Sequence, residues 1–252
     1  MLKLIVVSFI LLFIGCSEDR NIKFEDTNRL SIFVASSGKS AISKVANQFQ
    51  KIYKDINIDI YSMSSGKGYA QLINGFKYDL YFSADSIYPK KVFDSNLSSS
   101  KPKVYAVGIL ALYSKNIDLL KSGVEGLNNR EINFISIANP RLAPYGILAV
   151  DILKNYGIYD EVKDKIVKGD NIAQATQFID IGSADIGIVA FSLINNKTKD
   201  HYILIDKKRY KPIQQSFVIT KYGDKKDLAK KFANFLLSEK GKILIRESGF
   251  EI

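Results

Sequence analysis

Apolar and polar residues follow two different periods along most of this chain. Short runs rich in β-branched and aromatic residues predict strands, whereas apolar residues spaced every three or four positions predict amphipathic helices. The two patterns alternate, which is typical of an α/β fold with mostly parallel strands. The predicted strands are 30–34, 56–60, 78–83, 104–113, 132–137, 185–189, 203–205 and 217–220. The predicted helices are 41–49, 69–73, 146–156, 172–181, 226–237 and 239–247.

Three local signals refine this outline. The run 104–113 is the longest strand pattern and is long enough to cross between two lobes. Gly157 stands where a helix C-cap is expected, and Asn171 is a favourable N-cap for the helix that follows it. The polar stretch 95–103 predicts a surface loop.

Two strand-to-helix junctions carry the same four residues, Ser-Ser-Gly-Lys, at 36–39 and at 64–67. A serine-rich turn that opens a helix presents hydroxyls and unpaired backbone N–H groups, and the helix dipole there favours negative charge. Two such junctions facing each other would form a site for a small anion. Each junction alone is equally well explained as a simple cap and turn.

The second half of the chain contains two further junctions of this kind. Residues 138–146 form a proline-stiffened loop that delivers backbone N–H groups to a helix start, and residues 170–172 open another helix. Four such starts, two in each half, favour a binding cleft between the halves over four unrelated caps.

The N-terminus predicts an export signal. Lys3 precedes an apolar run over residues 4–14, which is shorter than the ~20 residues that a membrane-spanning helix needs. This pattern is typical of the apolar region of a signal peptide, so we expect residues 1–15 to be removed.

Cys16 is the single cysteine of the chain and follows the small residue Gly15. The pattern resembles a bacterial lipobox, although Phe13 replaces the usual leucine. We therefore expect Cys16 to be lipidated and residues 16–27 to form a polar tether, which places the protein in the periplasm or at the cell surface. The alternative is ordinary cleavage nearby, which would leave a free thiol.

The formal net charge of +10 raises the question of nucleic-acid binding. The lysines are scattered, with short clusters at 207–209 and 225–226, and no basic groove interleaved with aromatic residues is visible. Together with the export signal, this pattern indicates a solvated basic surface and no nucleic-acid partner.

The sequence contains few residues that could form a catalytic or a metal-binding site. The single histidine, His201, lies in a polar loop, and one histidine with one cysteine provides too few ligands for a zinc site. The Gly-Lys-Ser at 38–40 resembles the end of a P-loop, but Phe33 stands where the motif requires glycine. We expect no cofactor and no resident metal. A phosphate-handling enzyme stays as an alternative that would need a base or metal cluster near Ser37 and Ser65.

Several segments in this order resemble the substrate-binding proteins of molybdate ABC importers. The matching segments are 32–37, 64–66, 79–85, 138–146, 169–175, 184–190 and 248–250, and together they span about residues 30–250.

This resemblance implies a type II periplasmic binding fold: α/β, with two lobes of mixed, mostly parallel sheets and a cleft between them. The first lobe would comprise residues 28–106 plus 213–252, and the second would comprise residues 107–212. Ligands of the family are held by neutral donors, and crossing strands join the lobes.

Carried over by position, the resemblance implies the oxyanion-binding residues. Ser37 and Ser65 would donate hydroxyl and backbone N–H bonds from the first lobe, and Tyr145 and Ile172 would donate backbone N–H bonds from the second.

Several family members add a tyrosine hydroxyl where this chain has Ala190. We expect the hydroxyl of Ser36 or Ser64, or the side chain of Tyr145, to compensate for that donor.

The implied function is the capture of molybdate, and of tungstate, for delivery to an ABC permease and its ATPase subunit by a monomeric, membrane-anchored protein. Receptors for sulfate, phosphate or a small carboxylate remain alternatives. A carboxylate receptor usually needs a fixed arginine for its ligand, and Arg141 is the only arginine near these loops. In a structural or adhesive lipoprotein, by contrast, the four helix starts would be unrelated in space.

Overall fold

The structure is a computed structural model that describes residues 28–252. The predicted signal peptide (1–15), the tether (16–27) and the lipidation site Cys16 lie outside the described residues. Each helix within the described range is too short or too polar to cross a membrane.

Residues 28–252 form ten strands and eight α-helices. The strands are β1 (Arg29–Ala35), β2 (Asn57–Met63), β3 (Leu80–Ser83), β4 (Lys103–Gly108), β5 (Leu110–Ser114), β6 (Ile135–Ala138), β7 (Ile166–Gly169), β8 (Ile186–Ala190), β9 (Tyr202–Leu204) and β10 (Ile213–Ile219). The helices are α1 (Lys39–Ile52), α2 (Ser65–Ile73), α3 (Ile87–Asp94), α4 (Pro144–Asn155), α5 (Tyr159–Val162), α6 (Ile172–Asp180), α7 (Asp227–Leu237) and α8 (Glu239–Arg246).

The strands build two five-stranded sheets with the same plan. The first has the order β2-β1-β3-β10-β4, and the second has the order β7-β6-β8-β5-β9. In each sheet, four strands run in one direction and one strand, β10 or β5, runs opposite to them between two antiparallel partners. The predicted α/β fold with mixed sheets in two lobes is confirmed.

The chain passes between the sheets at Ile109. The run 104–113 was predicted as one strand, but β4 ends at Gly108 and β5 begins at Leu110. The break occurs because the run changes partners: β4 pairs with β10 in the first sheet, and β5 pairs with β8 and β9 in the second. The chain returns to the first sheet between β9 and β10.

Some elements have patterns too weak for sequence reading. Helix α3, helix α5 and strand β7 were not predicted; α5 and β7 have four residues each, which is too short to show a period.

The stretch 95–103 is only partly the expected surface loop. Ser98 within it is buried, and its hydroxyl donates to the Ile219 carbonyl at 2.6 Å.

Both predicted caps are confirmed. The Asn171 side chain accepts from the N–H groups of Ala173 and Gln174 at the start of α6. Gly157 follows α4 with φ +74°, a left-handed conformation that favours glycine.

Each sheet has its own hydrophobic core, and the two cores meet at one edge. Ala35 is the last residue of β1, and Ala84 directly follows β3; these two strands belong to the first sheet. Both residues nevertheless pack into the hydrophobic core of the second sheet. The contact therefore lies at the carboxyl ends of the parallel strands, where open α/β sheets place their ligands.

A buried ion pair stabilises the first sheet at its opposite edge. The Lys226 ammonium lies 3.2 Å from the Asp79 carboxylate, and both side chains are at most 5% exposed. The same carboxylate accepts from the Ser31 N–H, and Lys226 also donates to the Arg29 carbonyl. The pair thus joins the residue before α7 to strand β1 and to the residue before β3.

We expect Lys226→Met to lower the free energy of unfolding by about 3–5 kcal/mol, because the buried Asp79 carboxylate loses its ammonium partner. Urea denaturation followed by circular dichroism measures the change. The matched control is Lys230→Met, whose exposed pair with Asp224 should contribute about 1 kcal/mol or less. Equal losses in both variants would contradict this assignment.

Candidate functional site

The starts of four helices lie together where the two sheets meet. The N–H of Gly66, the second residue of α2, donates to the carbonyl of Leu142 at 2.9 Å, in the loop that leads into α4. Helix α6 packs against the turn 36–38 that precedes α1. The structure therefore brings the two serine-rich junctions of the first sheet against the two junctions of the second.

The four predicted ligand residues are all buried at this junction. Ser37, Ser65 and Tyr145 are 1% exposed, and Ile172 is 3% exposed. Each occupies the first or second position of a helix or of its opening turn.

Their backbone N–H groups have no protein acceptor among residues 28–252. The first N–H groups of a helix lack an intrahelical partner because no preceding turn supplies a carbonyl. The amides of Ser37, Ser65, Tyr145 and Ile172 thus stay available to a ligand. A buried N–H without an acceptor is unfavourable, so this arrangement indicates a binding site.

Neighbouring N–H groups at the same helix starts are satisfied. Gly66 donates to Leu142, and Gly146 donates to the carbonyl of Ala143 at 2.9 Å. The amides of Gly66 and Gly146 thus differ from those of the four predicted residues, which have no acceptor among residues 28–252.

Serine hydroxyls surround these amides. The hydroxyls of Ser37 and Ser64 are buried and have no hydrogen-bond partner in the described part of the chain. Ser65 Oγ accepts from the Ala84 N–H at 3.1 Å and keeps its own proton for donation. The Ser37 carbonyl accepts from the Ser192 hydroxyl at 2.9 Å, a bond that joins the two sheets.

The Tyr145 side chain reaches from α4 back to the first sheet. A Cβ atom added at Gly108 would lie 2.2 Å from the Tyr145 hydroxyl, so a larger residue at the end of β4 would displace that hydroxyl. Burial raises the pKa of Tyr145 well above its ordinary value; Tyr105 and Tyr210 raise it further, and the Ser37 hydroxyl beside it partly offsets the rise. The phenol is therefore neutral at physiological pH and can donate a proton.

Ala190 lies at the end of β8 and is fully buried, opposite Leu110. Its methyl group donates nothing. Ser36 lines a groove of about 350 Å³ together with Lys39, Ser62 and Asn171, at the rim of the same junction.

Charged groups stay at the rim. The Lys67 ammonium pairs with the Asp170 carboxylate at 2.7 Å across the junction, and both side chains are at least 40% exposed. Lys39 and Arg141 are also exposed. The residues at the helix starts therefore present neutral N–H and O–H donors, which favours a fully deprotonated anion because a protonated one would need an acceptor. Groups of His, Cys, Asp and Glu that could hold a metal are not found in residues 28–252.

Sequence reading missed two residues of this region. Gln215 in β10 contacts the Tyr145 hydroxyl, and Ser192 in the turn after β8 donates to the Ser37 carbonyl. The signal for Gln215 was present as two consecutive glutamines within an otherwise apolar strand, Ile213–Ile219.

Comparison with known proteins shows the family to which the chain belongs. The model of the family "Bacterial extracellular solute-binding protein" matches residues 30–251. The molybdate-binding protein ModA of Rhodobacter capsulatus is 31% identical over 187 residues, 74% of each chain. ModA of Azotobacter vinelandii is 29% identical and covers 88% of this chain and 89% of its own.

A solved structure shows the same fold. The periplasmic molybdate-binding protein of Azotobacter vinelandii superposes with a TM-score of 0.83 at 30% identity, covering 88% of this chain and 99% of its own. These relatives are solute-binding proteins and not enzymes, which excludes the phosphate-handling enzyme considered above. The chain belongs to the bacterial extracellular solute-binding proteins, in the family of substrate-binding proteins of molybdate ABC transporters.

Proposed function

We propose that this protein captures molybdate, and tungstate, outside the cytoplasmic membrane and delivers it to an ABC permease and its ATPase subunit. The observation that carries the proposal is the set of unpaired backbone N–H groups at Ser37, Ser65, Tyr145 and Ile172. We assign these four residues as the oxyanion ligands, with Ser36 and Ser64 as additional donors.

The proposed mechanism is closure of two lobes over a dehydrated dianion. The lobes are residues 28–106 plus 213–252 and residues 107–212, and the crossing at Ile109 serves as part of the hinge. Exclusion of water lowers the local dielectric constant, so each N–H and O–H bond to the anion becomes stronger. The permease then recognises the closed shape, as is usual for hinge-bending binding proteins.

Selectivity over sulfate would come from cavity size. Sulfate, molybdate and tungstate share tetrahedral shape and charge, and a set of neutral donors offers no charge pattern to separate them. Molybdate and tungstate are larger, so a cavity sized for them leaves sulfate with longer bonds to the same donors.

We further propose that Cys16 is the lipidated N-terminus of the mature protein and that residues 16–27 tether a monomer to the membrane, on its periplasmic or outer side. What supports this is the position of the only cysteine directly after the apolar run and Gly15.

We expect Cys16→Ser to move the protein from the membrane fraction to the soluble fraction and to abolish labelling by a radioactive fatty acid. Ser17→Ala, one residue further on, should behave like the wild type. A wild-type protein that carries a free thiol and no lipid would contradict the anchor and leave the ligand site unaffected.

Isothermal titration calorimetry with molybdate, tungstate and sulfate tests the ligand. We expect tight binding of the first two anions and weak binding of sulfate, because we propose a cavity whose size suits the larger anion. Tight binding of sulfate or phosphate with none of molybdate would replace the proposed ligand by the corresponding alternative.

Serine variants test the site itself. Ser37→Ala and Ser65→Ala should each weaken molybdate binding by about 1–3 kcal/mol, since a charged acceptor loses a donor. Ser99→Ala, at an exposed position far along the chain, is the matched control and should bind like the wild type. Unchanged affinity in both site variants would refute the assignment.

A further inference from the structure

Gln215 is a fully buried amide in strand β10. The ladder between β10 and β4 shifts register between Gln215 and Ser216, so the amide stands at a local irregularity of the strand. Its Oε1 has no hydrogen-bond partner among the described residues. Because burying an unsatisfied amide is unfavourable, an apolar residue would stabilise the strand better, and the glutamine calls for another explanation.

The Gln215 amide contacts residues that lie next to both proposed ligand serines, Ser37 and Ser65. Its Nε2 donates to the Ala84 carbonyl and to the Tyr145 hydroxyl oxygen, each at 3.4 Å. The Ala84 N–H in turn donates to Ser65 Oγ, and the Tyr145 hydroxyl lies beside the hydroxyl of Ser37. Gln215 therefore links the two serine-bearing junctions of the first sheet with α4 of the second.

The direction of this bond has a consequence for the tyrosine. A tyrosine oxygen that accepts from Gln215 must point its own proton elsewhere, and no group among residues 28–252 accepts that proton. The Tyr145 O–H is therefore left to donate to an anion bound beside Ser37. Both recorded bonds are long, so they can shorten when the lobes close over a ligand.

We propose that Gln215 is a positioning residue of the oxyanion site, which orients the Tyr145 hydroxyl so that this hydroxyl donates to the bound anion. This inference rests on the proposed function, since it concerns the same site. It does not depend on whether molybdate or another dianion is the ligand.

Replacing Gln215 by glutamate keeps the shape and reverses the polarity. The new carboxylate would accept the Tyr145 proton, so that the hydroxyl could no longer donate to the anion, and it would bring negative charge towards the dianion. Buried carboxyl groups have raised pKa values, so we expect it to titrate in the neutral range. Below its pKa the acid is neutral and the loss of affinity is moderate, and above its pKa the loss grows.

The experiment is calorimetric titration of molybdate into wild-type protein, Gln215→Glu and Gln214→Glu between about pH 6 and pH 9, the range in which a buried carboxyl titrates. We expect Gln215→Glu to bind at least about a hundredfold more weakly at the upper pH, with affinity falling as pH rises. Gln214 is exposed on the same strand, so Gln214→Glu is the matched control and should follow the wild type.

Other titratable groups near the Gln215 amide could also change the affinity with pH. The pH profile of the wild-type protein measures their contribution. These groups are the phenols of Tyr105, Tyr145 and Tyr210 and the carboxyl of Asp85 next to Ala84, whose pKa values are all raised by burial.

A second pair of variants separates positioning from packing. Gln215→Met preserves volume and removes the donor, and we expect about tenfold weaker binding, the effect of one hydrogen bond. Tyr145→Phe should cost a similar factor, and the double variant should bind no more weakly than either single variant, because both changes break one chain of bonds. Thermal melting of the ligand-free proteins shows that each variant is folded.

The outcomes are distinguishable. A wild-type protein that binds no tetrahedral dianion would refute the proposed function. A wild type that binds molybdate, together with Gln215→Glu and Gln215→Met variants within twofold of it, would overturn the role of Gln215 alone. Additive losses in Gln215→Met and Tyr145→Phe would likewise overturn the proposed chain.

Discussion

Backbone N–H groups that helix geometry leaves without an acceptor are the constraint on which the rest of this structure depends. A helix start in water satisfies these groups by hydration, but Ser37, Ser65, Tyr145 and Ile172 are buried. Burial without an acceptor is costly, although some neighbouring amides, such as those of Gly66 and Gly146, are paired. Under the proposed function, an anion that accepts from all four amides would remove this cost, so that closure and ligand binding would favour each other.

The two sheets place these helix starts. Each sheet has three parallel strands, and a helix start follows the carboxyl end of a strand in both. Because the chain changes sheets at Ile109 and returns before β10, the carboxyl edges of the two sheets can face each other. Tyr145 contributes to both lobes: its amide belongs to α4, and its hydroxyl rests on Gly108 and Gln215 of the first sheet.

Although the composition is strongly basic, the positively charged side chains at the junction lie at its exposed rim. The chain has a net charge of +10, yet Lys39, Lys67 and Arg141 lie at exposed positions around the junction, and Lys67 is paired with Asp170. Neutral donors in a closed site bind a dianion strongly because their dipoles are fixed and water is excluded. Surface lysines are screened by salt and provide little discrimination between anions.

The sequence by itself determined the alternation of strands and helices except for α3, α5 and β7, the caps at Asn171 and Gly157, and the four helix starts, because each depends on residues close together in the chain. It also indicated the family, since the matching segments are local. Only the tertiary structure decided that the run 104–113 breaks at Ile109, that Ser192 bonds to the Ser37 carbonyl, and that Gln215 lies between Ala84 and Tyr145. Those features join residues as many as 155 positions apart. Contacts at such separations are set by how whole sheets pack, and no local pattern of residues records them.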